Sequence, residues 1–482
     1  MSIAGVAVCI GLLLLGFRLK APLIVPLFAS FVFGSTAIAT LGFMGDSSPL
    51  IFVVFAGILV FSVPFRKHSL RDLAYILSRS WVPWIVIVFT IYAVAGAVIL
   101  PRVFAGQVSV FVPSREAGGL FELPLAPVSA NITQAAYLVI GALSFFAVSI
   151  LLVQQKNLEL IHRGFLTFCI LLAIVGTIDL AAKAMGMGDV FKIVRSANYV
   201  MHTNAEQAGF HRLTGMYTEA SVFGSATLAA LAFTFTYWRR TGISWALFLS
   251  AVLGVLLLLS TSTTAYVGAA IVALPVVVSE TRSLLAGRLS RPDLGLLAFA
   301  LICLTVALSI YIYRIELLAP FIELFDSALL NKSQSASAHE RTQWNLRSIQ
   351  SFFDTAGLGT GLGSSRSSSW IISVLSQLGL IGTLLLSFLV AQLMKRQPEH
   401  RRAPVKVKAG AVHDSVRAFI LAGLVAMSIG GGGADPGVVF FISLATVLAC
   451  REPLSIAIFK RQLSVDGGRL NEDSNSNKRT VQ

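Results

Sequence analysis

Apolar residues fall in long blocks along this chain instead of alternating with polar ones. The blocks cover 3–17, 22–41, 50–65, 82–100, 134–154, 164–184 and 218–237, then 243–259, 265–279, 294–313, 370–394, 416–429 and 437–450. A helix of about 20 apolar residues crosses a hydrocarbon core ~30 Å thick. Lipid offers no partner for a loose backbone N–H or C=O, so spanning segments must be helices or closed barrels. Blocks of this length predict an all-α polytopic integral membrane protein with about 12 or 13 transmembrane helices. Because the blocks recur throughout, residues 1–459 read as one membrane domain. Residues 460–482 read as a basic, disordered tail, on the composition of its NEDSNSNKR stretch. The first block has neither a basic leader nor a small-residue cleavage site, so it is expected to stay as a helix.

Composition agrees with this reading, and charge adds sidedness. The 482 residues are 56% hydrophobic and 12% charged, against roughly 25% charged in soluble domains. A formal net charge of +14 could signal nucleic acid, but the cations fall between alternate blocks. They form clusters at Arg18/Lys20, Arg66 to Arg79, Lys156/Arg163, Arg239/Arg240, Arg282 to Arg291, and 395–408. Lys and Arg favour cytoplasmic loops, so no nucleic-acid partner is expected. Three longer segments are then extracytoplasmic: 101–133, 185–217 and 314–369. The four cysteines are scattered through apolar segments without C-x-x-C spacing, which favours neither disulfides nor zinc.

The chemistry-bearing residues sit in those outer segments. GLGTGLGSSRSSS at 357–369 combines glycines, serines and Arg366, and glycine-rich backbone can cradle phosphate oxygens while Arg forks onto them. Gly361, Gly363, Ser364, Ser365 and Arg366 are the candidates for diphosphate or sugar binding there. No G-K-[ST] follows, and nucleotides are not available on the extracytoplasmic side, so a phosphate met there should belong to a lipid. Before this loop, Ser337 and Glu340 have capping-box spacing and predict a short amphipathic helix from His339 to about Phe353. It places Arg341, Asn345 and Ser348 on one face and Glu340, Trp344 and Arg347 on another. His339 reads either as an exposed first-turn residue or as a catalytic group, and Arg341 as an interfacial anchor or an anion ligand.

The second outer segment ends with RLTGMYTE, 212–219, just before an apolar block. Arg212 there adds to the anion preference of a helix N-terminus. Glu219 is either a favourable first-turn acid or a base for a sugar hydroxyl. STSTT, 260–264, closes a hairpin and more simply satisfies that hairpin's backbone. Asp179 and Lys183, four apart near the outer end of a helix, read either as a proton-relay fragment of a transporter or, more simply at that depth, as a structural ion pair. The outer segments carry no D-x-D, H-E-x-x-H or G-x-S-x-G, which disfavours a metal-dependent transferase or a serine hydrolase.

The motifs RLTGMYTE, STSTT, RTQWNL, GLGTGLG and SQLGLIG together resemble the O-antigen polymerase and ligase superfamily, the Wzy-type proteins of bacterial polysaccharide export. The distinctive motifs cover 212–219 and 341–382. The resemblance implies a multi-pass protein of the bacterial inner membrane that performs inverting glycosyl transfer with an undecaprenyl-diphosphate-linked oligosaccharide as donor. It implies no cofactor and no metal, with membrane lipids, a chain-length regulator and a flippase as partners. Arg212 and Arg341 match the arginines the family places near the donor diphosphate, and Arg366 is a third candidate. Catalytic candidates are thus Arg212, Arg341, Glu219 and His339. Ligases of the superfamily commonly carry a histidine near the glycine loop, where this chain has Ser367, Ser368 and Ser369. That departure favours a polymerase of O-antigen, capsule or exopolysaccharide repeat units. A ligase-type transferase and a lipid-linked oligosaccharide transporter are the alternatives.

Overall fold

The computed structural model describes residues 2–40, 42, 47–114, 119–153, 157–198, 201, 203, 206–207, 210–287, 294–295, 305, 336–395 and 407–451. The chain starts with α1 (Ile3–Arg18), α2 (Ile24–Ser30), α3 (Ile51–Ser62), α4 (Ser69–Arg79) and α5 (Val82–Val103). An antiparallel hairpin follows, β1 (Ser109–Ser114) with β2 (Gly119–Pro124), then α6 (Ser129–Leu152) and α7 (Leu158–Ala184). A second small hairpin, β3 (Glu206–Gln207) with β4 (Phe210–His211), precedes α8 (Ala220–Thr241), α9 (Ser244–Leu259) and α10 (Thr263–Leu285). Further on come α11 (Ala336–Asp354), α12 (Trp370–Met394), α13 (Val407–Gly430) and α14 (Val438–Arg451).

Seven of the described helices, α5, α6, α7, α8, α10, α12 and α13, are long and apolar enough to cross a membrane. Four shorter apolar helices, α1, α3, α9 and α14, accompany them. The chain is therefore a mostly helical, multi-pass membrane protein. Apart from 294–295 and 305, block 294–313 lies outside the described residues, as does the tail 460–482.

Two expectations change. The block 22–41 does not form one span: α2 ends at Ser30 and the chain turns. Beyond it Ser35 and Thr36 are fully buried and donate to the carbonyls of Met216 and Val194, both at 2.8 Å. Buried hydroxyls at a helix break need such partners, and here the partners come from the segment between α7 and α8. The other is local: two small hairpins that were not anticipated stand between helices, on a fold that is otherwise helical as expected.

Aromatic packing ties the bundle together. Phe165 of α7 lies 4.5 Å from Phe28 of α2, 5.4 Å from Phe233 of α8 and 5.2 Å from Phe419 of α13, ring centre to ring centre. Offset and edge-on rings at such distances pack favourably. Helix α8 presents small residues to its neighbours. A Cβ built on Gly224 would lie 2.8 Å from that of Ala265 in α10, the close approach small residues allow between membrane helices.

The two ends of the bundle differ. At one end Arg239 pairs with Glu280 and Arg240 with Asp414, the second at 2.5 Å, so the C-terminal end of α8 is tied to α10 and α13. Arg417 and Arg451 bond carbonyls at the end of α12 there. At the other end lie the first turns of α8, α10 and α12 and the last of α13.

Candidate functional site

That second end contains a cavity of about 500 Å3. It is lined by Arg212, by Glu219 and Ser221 at the start of α8, and by Ser262, Thr263 and Thr264 at the start of α10. Glu340, Arg341 and Trp344 of α11 form another wall. Arg366, Ser367 and Ser368 of the glycine loop, Gly430 and Gly432 after α13, and Leu120 of β2 complete it. Four of the residues picked out from sequence, Arg212, Arg341, Arg366 and Glu219, thus meet in one space although they span more than 150 positions of chain.

Arg212 is held from below. Asp179 of α7 is fully buried, and its Oδ2 accepts from Lys183 Nζ at 3.0 Å and from the N–H groups of Thr214 and Gly215, both at 2.9 Å. Lys183 Nζ also donates to the Arg212 carbonyl at 2.6 Å. The expected ion pair is present, and it fastens the site loop to the helix beneath it. Arg195 works from the other side. It pairs with Asp189 at 2.9 Å and donates to the carbonyls of Gly215 and Tyr217 and, at 3.2 Å, to the Thr214 hydroxyl. At the top, Arg212 Nε donates to Thr261 Oγ1 at 3.2 Å.

Burial pulls the Arg212 guanidinium below its usual pKa; Glu219 opposes that shift and the nearby Arg341 adds to it. Two arginines close enough to repel across a partly buried cavity make a site that gains from an anion between them. Glu219 occupies the N-cap position of α8, yet its side chain makes no cap bond there. Its Oε1 accepts from the hydroxyl of Ser221 instead, so both groups stand on the cavity wall.

The glycine loop divides into two parts. Its first half packs against helices. The N–H of Thr360 donates to Ser376 O, that of Gly361 to Gln377 O, and that of Gly363 to Gln377 Oε1 at 2.8 Å. Gly361 and Gly363 have φ of +94° and +82°, and a Cβ on Gly363 would meet the Ala130 carbonyl oxygen at 2.5 Å. Asn131, which caps α6 by accepting from the Val128 N–H, donates to Leu362 O and Ser364 Oγ at 2.8 and 2.7 Å. Ser365 is buried, and its carbonyl accepts from Gln377 Nε2. Gly361, Gly363, Ser364 and Ser365 therefore do not line the cavity; their N–H and hydroxyl groups serve the fold.

The second half turns into the cavity. The Arg366 N–H donates to Phe111 O of β1 at 2.9 Å and the Ser368 N–H to Asn345 Oδ1 of α11 at 2.8 Å. The loop is thereby set between the hairpin and the amphipathic helix, whose Arg341, Asn345 and Ser348 share a face as the spacing predicts. His339, near the start of the same helix, is exposed and outside the lining. Sequence reasoning missed the run GGGGADPG, 430–437. A Cβ on Gly432 would lie 3.5 Å from the Arg366 guanidinium carbon, so these glycines make room for that side chain. The signal was there, a glycine run between two apolar blocks, but it carries no charge at the cavity. Ser221 and Arg195 were also missed, both ordinary by type and spacing.

No protein-family model and no curated protein sequence matches the chain. The functional reading accordingly rests on the cavity and on the motifs that build it.

Proposed function

We propose that this chain is a polymerase of exported polysaccharide, joining repeat units carried on undecaprenyl diphosphate at the periplasmic face of the bacterial inner membrane. The observation that carries the reading is the convergence of Arg212, Arg341 and Arg366 on one cavity at the bundle end away from the basic clusters. If those clusters are cytoplasmic, the cavity opens where nucleotide sugars are absent and lipid diphosphates are exposed.

In the proposed reaction an acceptor sugar hydroxyl attacks the anomeric carbon of the donor from the face opposite its diphosphate. The new C–O bond forms as the bond to the diphosphate oxygen breaks, inverting the centre. Negative charge grows on the departing diphosphate, and preorganised arginines stabilise it in the transition state without further reorganisation. The hydroxyl proton passes to a carboxylate on the wall. Glu219 is the preferred base, with Ser221 orienting it. Trp344 offers a flat apolar face to a sugar ring beside Arg341.

The test is the length distribution of lipid-linked and surface glycans in a deletion strain and its parent. Single repeat units with no long chains support the polymerase. Long chains stranded on the lipid carrier would replace it with a ligase, and an unchanged profile would return the protein to the transporters.

A further inference from the structure

A second cavity, about 230 Å3, opens at the opposite end of the bundle between α4, α5, α6, α12 and α14. Three cations stand around it: Arg79 ends α4, Lys395 caps α12 and Arg451 ends α14. None of them comes from the site described above. Its remaining wall is largely apolar, with Phe145 and Leu448 among the lining residues.

Two further features point to a ligand. Gln392 and Ser149 line the cavity at 8% and 7% exposure, and their side chains hydrogen-bond to no described residue. Neither is among the fully buried polar groups left without a partner, so both stand open to the cavity and offer an amide N–H and a hydroxyl to an acceptor-rich group. The N-terminus of α5 also borders the space through Ser80, Val82 and Pro83, adding the positive end of a helix dipole. Alongside, Trp81 and Trp84 are 80% and 46% exposed. Exposed tryptophans at a helix end mark the level of lipid headgroups.

We infer that this cavity holds the phosphodiester headgroup of an anionic membrane phospholipid. The cations and the cavity-facing donors select an anion rich in acceptors. The apolar wall and the tryptophan belt select one attached to a lipid over free phosphate. Bound there, the headgroup touches α4, α12 and α14 together and so braces the end of the bundle remote from the arginine cavity. The inference stands whether or not the chain is a polymerase.

The experiment uses the full chain purified in detergent and exposed to phosphatidylglycerol, to phosphatidylcholine with the same acyl chains, or to inorganic phosphate. Retained lipid is read by native mass spectrometry and stabilisation by thermal melting. Phosphatidylglycerol is expected to be retained preferentially and to raise the melting temperature. Arg79→Gln and Lys395→Gln should each weaken retention about fivefold, and Gln392→Leu should weaken it with no change in charge. Arg451 is left in place because it also contacts His413 and the Lys395 carbonyl. Equal retention of the two lipids by the unaltered protein would overturn the inference, as would variants that hold phosphatidylglycerol as well as it does. Stabilisation by inorganic phosphate equal to that by phosphatidylglycerol would make this a small-anion site and overturn the lipid assignment.

Discussion

Removing the charge of Asp179 tests how the arginine cavity is held. A single oxygen, Oδ2, accepts from Lys183 and from two backbone N–H groups of the loop that carries Arg212. Asp179→Asn keeps an oxygen for the N–H groups but leaves Lys183, whose side chain is 9% exposed, without its counter-ion. Removing one partner of a buried pair costs about 3–5 kcal/mol. Asp179→Leu should cost more, because Thr214 and Gly215 each lose an acceptor, worth about 1–3 kcal/mol per orphaned group. Lys183→Met alone also loses the bond to the Arg212 carbonyl. In the double variant Asp179→Asn with Lys183→Met, no uncompensated charge remains, so its cost should fall well below the sum of the two single changes. The assay is unfolding in mixed micelles for the four proteins of the cycle. Single-variant costs that add to within about 0.5 kcal/mol would mean uncoupled residues and would refute the role given to the pair.

Three other outcomes follow from the same geometry. Arg212→Ala and Arg341→Ala should each abolish polymer while the protein stays in the membrane, and Lys at either position should restore little because a point charge replaces a fork; glycan gels with membrane immunoblots check this. Gly363→Ala should destabilise by at least about 2 kcal/mol, since a left-handed residue would gain a Cβ 2.5 Å from the Ala130 carbonyl oxygen; a melting temperature equal to the parent's would contradict it. Burial raises the Asp435 carboxyl from 3.8 to about 6, against the lowering effect of the Gly437 N–H it accepts. The folded state therefore holds that proton more tightly than the unfolded one, so this group's contribution is best below about pH 4 and is lost as pH rises to about 6. Asp435→Asn should flatten the slope in a pH series of melts.

The long helices were legible because nothing interrupts their apolar runs. In α7 and α12 the sequence reading and the structure agree at the C-terminal ends, Ala184 and Met394. The block 22–41 misled because hydropathy averages over Ser35 and Thr36, whose partners are about 160 to 180 residues away. At the site, Arg212 and Glu219 stood out as charges just ahead of an apolar run, and Arg341 as a charge on one face of a predicted amphipathic helix. Gly361 and Gly363 were misassigned for a physical reason: a glycine that admits a phosphate and one that admits another backbone look alike until the neighbour is known. Arg195 could not be read at all, since its role depends on carbonyls at Gly215 and Tyr217.

The ion pairs at the C-terminal end of α8 give this arrangement a mechanical character. Helices α8, α10 and α13 are pinned to one another where Arg239 meets Glu280 and Arg240 meets Asp414, while their far ends form parts of the cavity wall. A helix of 22 residues is about 33 Å long. Over that length a tilt of about 5° at the pinned end would displace the far end by about 3 Å. The ion pairs at one end and the close approach of Gly224 to Ala265 at the other thus fix the angles of the three struts, and with them the width of the cavity.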